Sequence, residues 1–197
     1  KVGSYDTQFG MVEASRWLND NYSGNYQPEN VLVSTGGKMG IYLLLQTLLA
    51  VGDEVLIISP YWVSYPSIVK LFGGTPKIIE SKEKNNWKVE LDDLKKNCSA
   101  KTKILILNNG SNPTGVLYSG KEIRAILEFA VEKNLFVVSD EVYSGLVYDN
   151  NQFISCASFP KFRNNLAVIQ SCSKNFAMTG WRVGFVFGEK KLIQILA

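Results

Sequence analysis

Four side chains that could do chemistry stand at or shortly after the ends of short apolar runs: Asp140, Tyr143, Lys174 and Arg182. A lysine is usually a solvated charge, but a desolvated amine has a lowered pKa and can attack a carbonyl group. An aspartate at a strand end is either a helix N-cap or a buried anion with a cationic partner. An arginine is either a surface charge or a clamp for an anion. Each residue alone is weak evidence for a site, so a shared function requires a fold that brings the four side chains together.

The chain of 197 residues contains no histidine, which excludes the Ser-His-Asp triad, a His-activated cysteine and every His-ligated metal site within it. Lys, Tyr, Asp or a cofactor must then carry any catalysis. Cys98, Cys156 and Cys172 are odd in number and widely spaced, so neither a disulfide framework nor a CxxC zinc site is expected. The net charge of +3 argues against nucleic acid as a partner. No apolar run approaches the roughly 18 residues of a membrane span.

A pair of glycines, in Thr35-Gly36-Gly37-Lys38, lies between a predicted strand and a predicted helix. Backbone N–H groups at such a turn can approach an anion, and the helix dipole favours negative charge there. The alternative is that the pair only makes a turn. The chain lacks both GxxxxGK[ST] and GxGxxG, which disfavours a nucleotide-binding domain.

Short apolar runs alternate with segments of helical period, a pattern that predicts an α/β fold with a mostly parallel seven-stranded sheet and helices on both faces. Several runs are apolar throughout, which is typical of strands covered on both sides. The whole chain, 1–197, is interpreted as one doubly wound domain. We predict strands at 31–34, 54–59, 76–80, 103–107, 135–139, 166–170 and 183–187. We predict helices at 37–50, 64–71, 91–98 and 119–134, and an unfinished helix at 191–197.

Polar, glycine-rich or ionisable residues follow five of these strands. In a doubly wound sheet, ligands bind outside the carboxyl ends of the strands. The five polar segments begin at Thr35, Pro60, Asn108, Asp140 and Ser171. Their convergence on one edge of the sheet predicts a binding or catalytic site there.

Five sequence blocks resemble the signature blocks of fold type I pyridoxal-phosphate (PLP) aminotransferases, most closely the class I/II group that contains bacterial aspartate aminotransferases. Their order and spacing agree over nearly the whole chain, and the last block, with Lys174 and Arg182 eight residues apart, is the most specific. The resemblance implies a cofactor-binding large domain, with an N-terminal arm expected before Lys1 and a small domain expected after Ala197. The blocks are Thr35-Gly-Gly-Lys38, Pro60-Tyr-Trp-Val-Ser-Tyr-Pro66, Asn112-Pro-Thr-Gly115, Ser139-Asp-Glu-Val-Tyr143 and Ser171-Cys-Ser-Lys-Asn-Phe-Ala-Met-Thr-Gly-Trp-Arg-Val-Gly184.

The resemblance also implies a role for each site residue. Lys174 would bond covalently to the PLP aldehyde and move the substrate α-proton, while Asp140 would pair with the pyridine nitrogen. The Asn112–Pro113 bond is expected to be cis, a geometry found almost only before proline. The other implied roles are contacts to the ring oxygen for Tyr143 and Asn112, stacking on the ring for Trp62, phosphate binding for Gly36, Gly37, Lys38, Ser171 and Arg182, and phosphate binding in the partner subunit for Tyr5.

Two positions depart from the family pattern. Relatives usually read Asn-Pro-Asn-Asn-Pro-Thr-Gly, whereas Gly110 and Ser111 here replace the first Pro and Asn and leave Asn112 in place. Where some relatives carry a histidine that supports the pyridine-binding aspartate, this chain has Tyr65, which can donate only a neutral hydrogen bond. The family's arginine for the substrate carboxylate is expected beyond Ala197.

We therefore expect transamination between an amino acid and a 2-oxo acid, most similar to that of aspartate aminotransferase, in a homodimer. The chain by itself is expected to be weakly active or inactive. One alternative is another fold type I enzyme: an aromatic, kynurenine or histidinol-phosphate aminotransferase, or a lyase. A second is an inactive regulator that retains the fold. The lack of a targeting signal makes the cytoplasm the default compartment, although a cut N-terminus could have removed one.

Overall fold

The central feature of the fold is a seven-stranded, mostly parallel sheet, as the sequence predicts. The computed structural model describes residues 3–197, with side chains described from residue 10 onward. The strands are β1 (Val31–Ser34), β2 (Glu54–Ser59), β3 (Thr75–Glu80), β4 (Thr102–Asn108), β5 (Phe136–Asp140), β6 (Leu166–Ser171) and β7 (Gly184–Phe187). Their order is β1-β7-β6-β5-β4-β2-β3. β7 is antiparallel to both of its neighbours, while the pairs from β3 to β6 are parallel.

Helices cover both faces of the sheet, which confirms the predicted layers. They are α1 (Gly3–Tyr22), α2 (Gly37–Leu48), α3 (Ser64–Leu71), α4 (Leu91–Asn97), α5 (Gly120–Glu132), α6 (Cys172–Asn175) and α7 (Lys190–Leu196). α1, α4 and α5 contribute Leu18, Leu94 and Leu127 to one apolar core. α2 and α3 contribute Leu44 and Val69 to the other. Among the helices of residues 3–197, none combines the length and apolar character needed to cross a membrane.

Successive residues of the central strands point into opposite cores. In β4, Leu105 and Leu107 belong to the core under α5, while Ile104 and Ile106 belong to the core under α2. All four side chains are 0–1% exposed. A strand that is buried on both faces has no polar position along its length, so polar groups can appear only at its ends. This constraint places the chemistry of the chain at the rim of the sheet.

Two helices, α1 and α6, are not among the predicted elements. From residue 10 onward, where side chains are described, the buried residues of α1 are Ala14, Ser15 and Leu18; Ala14 and Leu18 belong to the core, with Met11 and Trp17 packed against it. A segment with so few apolar positions becomes a helix through its packing on the sheet rather than through a strong periodic pattern. α6 has only four residues, too few for any period to be visible.

The ends of the predicted elements agree closely with the structure, and three differences bear on the site. β4, β5 and β6 each continue one residue further than predicted, to Asn108, Asp140 and Ser171. All three side chains therefore belong to the rim of the sheet itself. α5 begins with a capping box, in which Ser119 Oγ accepts from Glu122 N at 3.3 Å and Glu122 Oε2 accepts from Ser119 N at 2.7 Å.

Candidate active site

The polar strand ends surround a cavity of about 300 Å³, at the lower end of the range for small-molecule sites. Parallel pairing explains the convergence, because Asn108 lies in register with Asp140, and Asp140 with Ile169 two residues before the end of β6. The lining residues are Gly37, Lys38, Ile41, Trp62, Tyr65, Asn108, Asn112, Asp140, Val142, Tyr143, Ser171, Ser173, Lys174, Thr179 and Arg182. Nine of these are predicted site residues: Gly37, Lys38, Trp62, Asn112, Asp140, Tyr143, Ser171, Lys174 and Arg182.

Asp140 is the buried anionic group of the cavity, with only 4% of its surface exposed. Its Oδ2 accepts a hydrogen bond from Tyr65 Oη at 2.5 Å, and its Oδ1 accepts from Val142 N at 3.4 Å. Burial raises the pKa of Asp140, while these two hydrogen bonds oppose that rise. Burial also raises the pKa of Tyr65 well above its ordinary value, so the phenol remains a donor.

The N-cap alternative for Asp140 is wrong, because a turn at residues 142–145 rather than a helix follows it. Among the described residues, the side-chain hydrogen-bond partner of Asp140 is the neutral hydroxyl of Tyr65, at the position where the sequence departs from the family pattern. The pairing of Asp140 with a cationic pyridine nitrogen stays a prediction. Tyr65 lies 75 residues from Asp140 in the chain, and α3 brings it under the rim.

Two asparagines connect the segments after β4 and β5. Asn108 Nδ2 donates to the Asp140 carbonyl oxygen at 2.9 Å, and Asn108 Oδ1 accepts from Asn112 N at 2.8 Å. Asn112 Nδ2 in turn lies 3.4 Å from Tyr143 Oη. The Asn112–Pro113 bond is cis, as expected. Asn108 is not among the predicted site residues, although its position at the end of an apolar strand is the same signal that identified Asp140.

The glycine pair and Arg182 meet at the start of α2. Gly36 has a φ of +79°, which glycine adopts without strain. A Cβ at Gly36 would lie 2.4 Å from Arg182 Nη2, so the guanidinium packs directly on the Gly36 backbone. Arg182 Nη1 donates to Thr179 O at 3.0 Å and to Ser173 Oγ at 3.3 Å. The Arg182 guanidinium thus lies beside the first N–H groups of α2, which have no partner within the helix. This arrangement favours the binding of an anion.

Lys174 reaches the cavity from α6, directly after β6. Its Nζ lies 5.7 Å from the centre of the Tyr143 ring. The residue is exposed, however, and so are Phe176 at 55% and Trp181 at 73%. The expectation of a lysine shielded from water is therefore not met in this chain, because α6 lies on the open side of the cavity. The expected closeness to Asp140 and Arg182 is met, since all three line it.

The remaining predicted residues lie around the same space. Trp62 is half-buried, packs edge-on against Tyr65 with ring centres 5.4 Å apart, and has Lys38 Nζ 4.9 Å from its own ring centre. Ser171 Oγ donates to Val183 O at 3.2 Å. Gly36 is not part of the lining itself. The side chain of Tyr5 lies outside the described residues.

Comparison with known proteins finds relatives of nearly the whole chain. The family model for aminotransferase class I and II matches residues 12–197. Aspartate aminotransferase of Bacillus subtilis is 40% identical over 197 residues, covering 98% of this chain and 50% of that protein. The probable aspartate/prephenate aminotransferase of Aquifex aeolicus is 37% identical over 185 residues, covering 93% of this chain and 47% of that protein. The chain therefore spans about half the length of the curated relatives it matches.

Solved structures extend the similarity to the fold. Aspartate aminotransferase from Thermus thermophilus with maleate superposes with a TM-score of 0.90 at 31% identity, over 94% of this chain and 48% of that one. The aromatic aminotransferase from Pyrococcus horikoshii superposes with a TM-score of 0.91 at 35% identity, over 94% of this chain and 50% of that one. In both cases the matching part is about half of the known structure.

Proposed function

The chain belongs to the class I and II aminotransferases, and we propose that it is the cofactor-binding large domain of an enzyme that transfers an amino group between an amino acid and a 2-oxo acid. Aminotransferases act on these two substrate classes, and the family is generally PLP-dependent. The observation that carries the proposal is the grouping of Lys174, Asp140 and Arg182 around one cavity. The activity of the whole protein is part of the proposal, because the chain spans half of its relatives.

The residues present fit PLP, which carries an aldehyde, a ring nitrogen, a ring oxygen and a phosphate. Lys174 offers an amine for the aldehyde, and Asp140 offers a buried carboxylate for the ring nitrogen. The start of α2 and Arg182 offer donors for the phosphate. A Cβ at Gly37 would lie 2.9 Å from Val142, so only a glycine fits in this crowded turn beside the cavity. Tyr143 and Asn112, the Ser171 hydroxyl and Trp62 complete the predicted set of contacts.

Each residue then has a defined task. Bound PLP supplies an electron sink for the charge left when the substrate Cα loses its proton. Asp140 keeps a proton at the ring nitrogen, because a carboxylate attracts a protonated nitrogen strongly where water is excluded. Tyr143 and Asn112 donate to the ring oxygen. The Lys174 amine takes the α-proton as a general base and returns it as a general acid.

The substrate and the assembly are proposed from the relatives. Several similar proteins are named aspartate aminotransferase, including those of Bacillus subtilis and Geobacillus stearothermophilus at 40% identity. We therefore expect aspartate as the amino donor, with aromatic donors as the alternative suggested by the name of the Pyrococcus horikoshii protein. Aminotransferases are generally dimeric. A homodimer would bring Tyr5 to the neighbouring phosphate and exclude water from the exposed Lys174.

The decisive experiment is covalent trapping of PLP. The protein is incubated with PLP, reduced with borohydride and digested, and the modified lysine is identified by mass spectrometry. We expect the label on Lys174 and its complete loss in Lys174→Ala. Lys161→Ala is the matched control, because Lys161 is exposed and does not line the cavity.

Two results would contradict the proposal: absence of label from the wild-type protein, or label that persists on other lysines in Lys174→Ala. Assays of the full-length protein with aspartate, alanine and aromatic donors then separate the substrate alternatives. A full-length protein that is labelled on Lys174 but turns over none of these donors would favour the inactive regulator.

A further inference from the structure

A continuous set of hydrogen bonds joins the segment after β5 to the helix that carries Lys174. Its members are Glu141, Gln170, Ser144 and Asn175, here called the Glu141 network. None of the four lines the cavity. Three of them are nearly inaccessible, with 0% of Glu141, 1% of Gln170 and 5% of Ser144 exposed. Buried polar groups that are mutually satisfied specify one arrangement of the elements that carry them.

Glu141 anchors one end of the network, directly after Asp140. Its Oε1 accepts from Ser139 Oγ at 2.9 Å and from Cys156 N at 2.8 Å, and its Oε2 accepts from Ser155 Oγ at 2.5 Å. These bonds tie the end of β5 to the segment near residue 155. The carboxylate therefore holds the backbone on which Asp140 stands.

The other links lead from Glu141 to α6. Gln170 Nε2 donates to Glu141 Oε2 at 3.4 Å, and Ser144 Oγ donates to Gln170 Oε1 at 3.0 Å. Asn175 Nδ2 donates to Ser144 Oγ at 3.0 Å, while Asn175 Oδ1 accepts from Gly145 N at 3.0 Å. Asn175 thus uses both ends of its amide on two successive residues. This double contact fixes its orientation.

The position of Asn175 in the chain gives these contacts their importance. It follows Lys174 in α6, whose four residues are too few to hold a helix by their own hydrogen bonds. A Cβ at Gly145 would lie 3.2 Å from the Asn175 amide, so the two segments are in tight contact. Asn175 is therefore a direct connection between α6 and the segment that begins with Asp140 and Tyr143.

We propose that Asn175 is a positioning residue that sets Lys174 Nζ relative to Asp140 and Tyr143. The inference rests on the proposed function, in which the Lys174 amine condenses with the PLP aldehyde: a carbon–nitrogen bond replaces the carbon–oxygen bond, and water leaves. The partners of the PLP ring stand on the segment after β5, whereas the amine stands on α6. A displacement of about 1 Å between two such groups can slow a reaction about 100-fold. Loss of the Asn175 contacts should therefore slow bond formation more than it weakens the fold.

The test measures the rate at which PLP bonds to Lys174 under saturating PLP, by borohydride quenching at intervals and mass spectrometry. Asn175→Ala removes both contacts, and we expect trapping that is about tenfold slower or more. Asn97→Ala is the matched control. It removes one part-buried asparagine hydrogen bond, to Asp93 O at 2.8 Å in α4, and should leave the rate unchanged.

Two further variants cut the link between Asn175 and Ser144 from either side. Asn175→Asp keeps the acceptor for Gly145 N but loses the donor to Ser144. Ser144→Ala removes that acceptor and also the donor to Gln170 Oε1. Because both cut the Asn175–Ser144 link, we expect each to slow trapping severalfold and the double variant to be no slower than Ser144→Ala alone. These variants also provide the measurement if Asn175→Ala does not fold.

The outcomes separate the inference from the proposal beneath it. Absence of label in the wild-type protein contradicts the proposed function. Label on wild-type Lys174 together with wild-type rates in Asn175→Ala, Asn175→Asp and Ser144→Ala overturns the positioning role. Equal slowing in Asn97→Ala also overturns it, because the effect would then follow general destabilisation. Slow trapping with strictly additive effects of Asn175→Asp and Ser144→Ala contradicts the network.

Discussion

The two sides of the cavity differ in how the protein holds them. The buried side consists of Tyr65 and Asp140, with Glu141 behind them; each is no more than 4% exposed and is joined to its surroundings by hydrogen bonds of 2.5 to 3.4 Å. The exposed side consists of Lys174, Arg182 and the neighbouring Trp181, all of which face solvent. Asp140 and Glu141 lie at the end of β5 and Tyr65 lies on α3, whereas Lys174 lies on α6. Trp181 and Arg182 lie at the end of the short 3-10 helix Thr179–Trp181.

This difference in burial shows which side of the cavity is held in a fixed arrangement before a ligand binds. Carboxylates taken out of water interact strongly with every neighbouring donor, so the buried side is rigid and its charge state depends on its partners. Cations in water are screened and contribute little to stability. We infer that the buried side contributes most to the free energy of unfolding and contains the carboxyl groups with shifted pKa values. The charged groups of the exposed side remain available to bind a ligand. Three variants test this contrast.

The largest effect is expected from Glu141, whose burial raises its pKa from 4.5 to about 7 despite donors that lower it. Between these values the unfolded chain loses the proton and the folded chain retains it. The free energy of unfolding should therefore fall as the pH rises from about 4.5 to 7, by roughly 3 kcal/mol. Above about pH 7 both states are ionised, and this contribution stays constant.

Urea unfolding at intervals between pH 4.5 and 8 measures this slope, and Glu141→Gln should remove it. Subtraction of the variant from the wild type isolates Glu141, because the raised pKa of Asp140 acts in the same direction and remains in both. Glu128→Gln is the matched control at an exposed position. An identical pH dependence in wild type and Glu141→Gln would refute the assignment.

An intermediate effect is expected from Tyr65→Phe. The change removes the donor at 2.5 Å from Asp140 and leaves a buried carboxylate oxygen without it. Since hydrogen bonds to charged groups contribute about 1.5 to 3 kcal/mol, the free energy of unfolding at pH 8 should fall by about 2 kcal/mol. The pKa of Asp140 should also rise further. Tyr148→Phe, at a residue that is 71% exposed, should change stability little; equal losses in the two variants would erase the contrast.

The smallest effect is expected from Trp181→Ala on the exposed side. Trp181 is 73% exposed, so its removal forfeits little buried apolar area. The free energy of unfolding should change by less than about 0.5 kcal/mol in chemical denaturation. A loss of 2 kcal/mol or more would show that this side also supports the fold, and the distinction between the two sides would have to be abandoned.

Most of the fold could be predicted from the sequence because its core strands are apolar throughout and end in polar residues. Runs such as 104–107 and 135–138 predict buried strands, and the polar residues that follow predict the rim of the sheet. α1 was not predicted because its apolar buried positions are sparse: from residue 10 onward they are Ala14 and Leu18. α6 was not predicted, because four residues are too few to show a helical period of apolar positions.

The candidate site was predicted unevenly for a related reason. Local signals identified Asp140 and Lys174, since each stands at the end of an apolar strand. Asn108 carries the same signal and was not selected. The contacts of Asn175 depend on Ser144 and Gly145, about 30 residues away, and no local pattern indicates them.

The sequence by itself determined which chemical groups reach the rim, because apolar strands force polar residues to the strand ends and the blocks identify the family. Only the tertiary structure decided which of those groups are shielded from water. Asp140 is buried because α3 places Tyr65 against it, and Lys174 is exposed because nothing in the described chain packs over α6 on that side. Desolvation depends on what packs above a residue, and that neighbour is set by contacts distant in sequence.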